Sequence, residues 1–134
     1  VDSHKFTPII SKKKNYLFKK DFTSFKNKKA FFAMTGHVIF NKIDNKNTVT
    51  HSKILIKLIR NKIRFKNLLI SDDLSMKSLK GTLKDNTIKT FNAGCNLALH
   101  CNGNFKEMLI VAKNSPLVDK FIVKKTSQFY KILR

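Results

Sequence analysis

Residues 68–76 read LLISDDLSM. Leu68, Leu69 and Ile70 form a short apolar run of the kind a strand shows when both of its faces are covered. Beyond Ser71 stand two adjacent carboxylates, Asp72 and Asp73, in a chain with 28 Lys and Arg but only 8 Asp and Glu. Acidic residues just past a buried strand are presented at the rim of a sheet or barrel, above a dry floor. Two readings are open at this point. Asp73 caps the following turn and Asp72 pairs with a lysine, or the two belong to a chemical site.

Working outward, two further segments have the same strand character, 30–35 (AFFAMT) and 97–101 (LALHC). Helical patterns lie between and after them. Residues 52–63 place Leu55, Leu58, Ile59 and Lys62 on neighbouring turns behind Ser52 as N-cap. Residues 82–93 open with Thr82 and Asp85, a variant of the capping box, and stop at Gly94. Residues 104–114 open with Asn104 and place Glu107 at the third helical position. A helix over 17–27 carries Phe18, Phe22 and Phe25 as a stripe, which is either core contact or a base-stacking platform. Helix and strand alternate as in a run of βα units with parallel strands and right-handed crossovers. In such folds chemistry collects at the carboxyl ends of the strands. Those ends deliver His37 after the first strand, Asp72 and Asp73 after the second, and His100 and Asn102 after the third.

The totals bound the partners. A chain of 134 residues, 42% of them hydrophobic, suits one domain or a piece of one. Its first residue is Val, so a processed chain or a fragment is expected. A net charge of +20 invites a polyanion. However, only Arg60, Arg64 and Arg134 are arginines, and bidentate recognition of bases and phosphates favours the guanidinium. Lys, Asn, Ile and Phe are abundant together, as a general coding bias produces. Solvated surface lysine and a polyanion partner both remain open; no specific nucleic acid is expected, only weak salt-sensitive adsorption. No apolar run approaches the roughly 18–20 residues that span a bilayer, so no membrane partner is expected. Cys95 and Cys101 form neither a disulfide scaffold nor a metal motif, and a reducing compartment fits them best. No cofactor and no metal are expected.

At the N-terminus the chain reads VDSHKFTP. Asp2 and His4 are two residues apart with a small Ser3 between them, so a turn can bring both side chains to one side. A carboxylate there holds the imidazole in one tautomer and raises its pKa toward working pH. The alternative is two polar residues in an ordinary loop.

Four stretches, DSHKFTP, AMTGHVIFNKID, LLISDDLSMKSL and NAGCNLALHCNG, stand in the order and spacing of one family. From Asp2 to about Pro116 the chain resembles bacterial β-N-acetylglucosaminidases of glycoside hydrolase family 3, of the NagZ type. The resemblance implies a (β/α)8 barrel and a cytoplasmic, retaining exo-hexosaminidase. Such an enzyme removes β-linked N-acetylglucosamine from recycled cell-wall muropeptides. It assigns Asp72 as nucleophile, His4 as general acid/base and Asp2 as the partner of His4. His37, Asp73 and Met76 match positions that bind substrate or support the site. The chemistry is coherent: a retaining glycosidase needs a carboxylate beneath the anomeric carbon and a proton donor at the leaving oxygen. Here the donor is an imidazolium on a loop that can close on substrate.

Three departures accompany the resemblance. The family's KH-x-PGHG stretch and its earlier sugar-binding residues are not in these 134 residues. Arg64 stands where a helix-capping glycine is expected, and Lys66-Asn67 replaces Asp-Gly. Polar residues in the SLKGTLKDN region are altered. A barrel of this type takes about 250 residues. Residues 1–116 are therefore expected to be its C-terminal part, about three βα units plus the preceding catalytic loop. The missing N-terminal portion is expected in the same polypeptide, and activity of the fragment alone is not. Residues 117–134 form a basic C-terminal segment of no assigned role. Competing with the glycosidase are a basic polyanion-binding protein on an enzyme-derived scaffold and a truncated, non-catalytic remnant.

Overall fold

The computed structural model describes residues 2, 4–26 and 29–133. Ser3 of the Asp2–His4 loop, Asn27 at the end of the expected helix 17–27, and Arg134 of the C-terminal segment lie outside the described residues. In chain order the elements are β1 (Ile9–Ile10), α1 (Lys14–Lys19), a 3-10 turn (Phe22–Phe25), β2 (Phe32–Met34) and β3 (Ile39–Phe40). A second 3-10 turn (Val49–His51) leads into α2 (Lys53–Leu58), which continues as one π-helical turn (Ile59–Ile63). Then come β4 (Leu68–Asp73), α3 (Leu83–Ala93), β5 (Leu97–Leu99), α4 (Phe105–Asn114) and α5 (Lys120–Ile132).

All strand pairs in these two sheets are parallel. β2, β4 and β5 form one sheet in that order, with Phe32 opposite Leu68 and Ile70 opposite Leu97. β1 and β3 pair in a second, two-stranded sheet that the alternation of apolar runs did not foretell. Side chains on the helix-facing side of the larger sheet build one core, in which Leu69, Ile56, Phe65, Ala93 and Cys95 pack together. Leu17, Phe22, Val49, Leu55, Leu58 and Ile63 build a second. An apolar cavity of about 380 Å³ lies along β2, bordered by Phe22, Met34, Val38, Leu58 and Phe65. Its lining holds none of the carboxylates or imidazoles singled out above.

Local chemistry explains the helix boundaries. The Ser52 Oγ accepts from Leu55 N–H, Thr82 Oγ1 from Asp85 N–H, and Asn104 Oδ1 from Glu107 N–H. Each satisfies an otherwise orphaned donor of the first turn. Gly94 ends α3 at φ 113°, and a Cβ there would stand 3.0 Å from Ile56 Cγ2, so α3 and α2 approach closely only because the side chain is missing. The expected helix 17–27 is instead two pieces, α1 and the 3-10 turn. Thr23 Oγ1 donates to the carbonyls of Phe18 and Lys19, taking acceptors that a continuing helix would use. Phe18 and Phe22 are core contacts, their rings edge to face at 5.4 Å, while Phe25 is exposed. The basic C-terminal segment contains α5, whose Phe129 packs on Phe31 and Phe32 at 5.4 and 5.1 Å. Its start is capped by Asp119, which accepts from Ile122 N–H.

Candidate functional site

β4 carries its carboxylates across an irregularity. Ile70 is opposite Leu97 but Asp73 is opposite Leu99, so β4 holds one residue more than β5 over that stretch. Such a bulge bends the strand and re-aims the side chains beside it. The fully buried Ser71 fills the gap, its Oγ accepting from Leu99 N–H at 2.8 Å. Asp72 follows, half-buried, with its Oδ1 accepting from Asp73 N–H at 2.9 Å.

Asp73 is held at every polar atom. Its carboxylate accepts from Ser75 N–H (3.0 Å), from the Ser75 hydroxyl, and from Cys101 N–H across the sheet (3.1 Å). Burial works to raise its pKa, but the hydrogen bonds from Ser75 and Cys101 and the nearby His100 outweigh it, and Asp73 ends below the ordinary carboxylate value. Its carbonyl accepts from Met76 N–H and from the His37 ring, whose Nε2 is 2.9 Å away. His37 is buried in the loop between β2 and β3 and reaches Thr50 Oγ1 with Nδ1, also at 2.9 Å. Thr50 Oγ1 lies 2.9 Å from Thr35 Oγ1. Met76 is half-buried in the turn after β4, tied in through its backbone.

Asp2 and His4 form the expected pair. His4 Nδ1 lies 3.1 Å from Asp2 Oδ1, which also accepts from His4 N–H at 3.0 Å. These bonds from His4 hold the Asp2 carboxyl below its ordinary value. Both side chains are exposed. Among the described residues no hydrogen bond or ion pair joins this pair directly to Asp72. A tether does link the two loops: the Thr7 hydroxyl donates to the Ser78 carbonyl, just beyond the Asp72–Met76 turn.

His100 and Asn102 are turned to another task. His100 Nε2 and Asn102 Nδ2 both meet Glu107 Oε2, at 2.9 and 2.6 Å, clasping the β5–α4 loop to the first turn of α4. Those two bonds lower the Glu107 pKa. Among the described residues, no three His, Cys, Asp or Glu side chains group as a metal site requires. Sequence reasoning missed Ser71, Ser75, Thr7 and the Cys101 amide as supports. Ser71 had a signal, a hydroxyl inside an apolar strand; a backbone amide has none.

The sequence model of the glycosyl hydrolase family 3 N terminal domain matches residues 1–129. A β-hexosaminidase from Psychromonas ingrahamii is 32% identical over 138 aligned positions, covering 98% of this chain and 39% of that protein. One from Haemophilus influenzae is 32% identical over 127, covering 87% and 36%. The chain thus spans about a third of the length of the curated relatives it matches. Among solved structures, native NagZ from Neisseria gonorrhoeae superposes with a TM-score of 0.78 at 24% identity, covering 92% of this chain and 37% of that one. CbsA from Thermotoga neapolitana does so with 0.79 at 22%, covering 100% and 34%. At these identities the structural likeness establishes the fold alone.

Proposed function

Because the chain belongs to the glycosyl hydrolase family 3 N-terminal-domain family, we propose that it carries the reacting residues of a retaining β-N-acetylglucosaminidase. Residues Asp2 to about Pro116 then supply the last three strands of a (β/α)8 barrel and the loop before them. The first five strands belong to the same polypeptide. The substrate is β-linked N-acetylglucosamine on a cell-wall muropeptide, and the setting is cytoplasmic. The names of the β-hexosaminidase relatives support the reaction class.

The observation that carries the reading is the Asp2–His4 pair, on a loop whose Thr7 is bonded to the segment after β4. With Nδ1 committed to Asp2, Nε2 of His4 is the nitrogen left for substrate. Asp72 attacks the anomeric carbon, and the bond to the leaving oxygen breaks as that oxygen takes the proton from His4 Nε2. The product is a glycosyl ester on Asp72. His4 then removes a proton from water, which attacks the same carbon and frees Asp72. The Asp2 carboxylate orients the ring and stabilises the imidazolium.

The test uses the full-length protein. His4→Ala is expected to damage cleavage of a β-linked disaccharide far more than that of an activated aryl glycoside, because a good leaving group hardly needs a proton. Asp72→Asn is expected to lose several orders of magnitude in rate on both substrates, and Asp73→Asn much less. The measurement is the ratio of kcat/KM on the two substrates. A ratio unchanged by His4→Ala removes His4 from the mechanism, and equally mild Asp72 and Asp73 variants remove Asp72.

A further inference from the structure

Thr35, His37 and Thr50 are 4%, 2% and 0% exposed, and their polar atoms form a single row. Thr35 Oγ1 meets Thr50 Oγ1, Thr50 Oγ1 meets His37 Nδ1, and His37 Nε2 meets the Asp73 carbonyl, each at 2.9 Å. The last contact sets the direction of the rest. A carbonyl only accepts, so Nε2 carries the hydrogen. In the neutral ring Nδ1 then accepts, and its donor is the Thr50 hydroxyl. Having one hydrogen, Thr50 oxygen receives that of Thr35. The competing acceptor for Thr50 is the Gly36 carbonyl, at a longer 3.4 Å.

From this row we infer that Thr50 is a positioning residue for Asp72, acting through His37. This rests on Asp72 being the nucleophile. Thr50 sits in the 3-10 turn before α2, His37 in the loop after β2, and Asp73 at the end of β4, so the row ties three separate elements together. It holds the main chain of Asp73 by its carbonyl, and the N–H of the same residue holds Asp72 Oδ1. Losing the donor at Thr50 frees the ring to turn or to change tautomer. Asp73 then loses its tie to the β2–β3 loop, and the carboxylate beside it loses part of what fixes its line to the anomeric carbon. The same hydroxyl touches no substrate; its effect passes wholly through the ring and the backbone.

The experiment compares Thr50→Val, which keeps the shape and removes the hydroxyl, with Thr50→Ser, which keeps the hydroxyl, in the full-length protein. Steady-state kinetics and 15N spectra of the histidine rings are recorded for both variants and the wild type. We expect kcat of Thr50→Val to fall about 10- to 100-fold with little change in KM, as a small misplacement of a reacting group does. Thr50→Ser is expected to recover most of that loss. The wild-type His37 ring is expected to carry its hydrogen on Nε2, and Thr50→Val to alter that signature. A folded Thr50→Val with wild-type kcat, or a Thr50→Ser no better than it, overturns the inference. If Thr50→Val does not fold, the wild-type ring decides, since hydrogen on Nδ1 overturns the row and hydrogen on Nε2 with an active Thr50→Ser supports it. An active wild type with Nδ1–H sinks the row alone, whereas an inactive wild type with Nε2–H sinks the glycosidase reading.

Discussion

At the scale of single residues, the area beneath the site is set by where protons can sit. His51 lies beside the row just described, its Nε2 buried without a partner. Burial first, and then the neighbouring Lys89 charge, pushes its pKa down from 6.5 to about 4. The sign of the linkage follows. Between about 6.5 and 4 the unfolded chain takes up a proton at His51 that the folded chain refuses. Stability contributed by the neutral ring is therefore full above pH 6.5 and is lost progressively as pH falls toward 4. Asp44 and Asp73, whose carboxyls are held low, add their own losses only below their ordinary values. We expect the melting temperature of the full-length protein to decline between pH 6.5 and 4.5, and His51→Gln to flatten that decline. Equal slopes in wild type and variant exclude His51 as the cause. Arg60 shows the opposite use of a buried charge. Its guanidinium donates to the carbonyls of Phe65 and Asn67 and to Asn96 Oδ1, so a basic residue closes the junction between α2 and β4.

At the scale of elements, the joint between the π turn and β4 holds a local conflict. Arg64 has φ 63° and ψ 32°, the one non-glycine residue among those described with a positive φ. Phe65 N–H closes back on the Ile59 carbonyl at 3.1 Å, the bond pattern of a helix end that favours glycine. The sequence marked this position as a missing glycine, and the backbone there adopts the conformation a glycine would take. An L side chain in that region is strained by about 1 kcal/mol. The Arg64 side chain is exposed. Arg64→Gly is therefore expected to stabilise the protein by about that amount and raise its melting temperature by a few degrees. A neutral or lowered melting temperature places the strain elsewhere. The caps at Ser52, Thr82 and Asn104 carry no such conflict, because each uses a side chain suited to its turn.

At the scale of the molecule, apolar surface is plentiful. α4 buries none of its residues, and Phe105, Met108 and Leu109 are 69%, 48% and 41% exposed. Met34 on β2 and Leu117 beyond α4 are also open to solvent. Exposed patches of this kind, next to unpaired strand edges, favour association. The 134 residues expressed alone are expected to aggregate, or to bind a hydrophobic dye and melt without cooperativity. A soluble monomer with a sharp melt counts against the barrel-fragment proposal. Much of the fold was nonetheless legible beforehand. The three apolar runs, the helices behind Ser52, Thr82 and Asn104, and the pairing of Asp2 with His4 all depend on neighbours a few residues away, so pattern and spacing were enough to find them. Tertiary structure decided the rest. It alone inserted the bulge beside Asp72, brought the His37 ring to a carbonyl 36 residues on, and bonded Thr7 to Ser78 across 71 residues. It also paired β1 with β3 and packed Phe129 on Phe31 and Phe32. Those contacts satisfy backbone donors and acceptors and bury rings between segments distant in sequence, and no local pattern encodes which distant partner will be within reach.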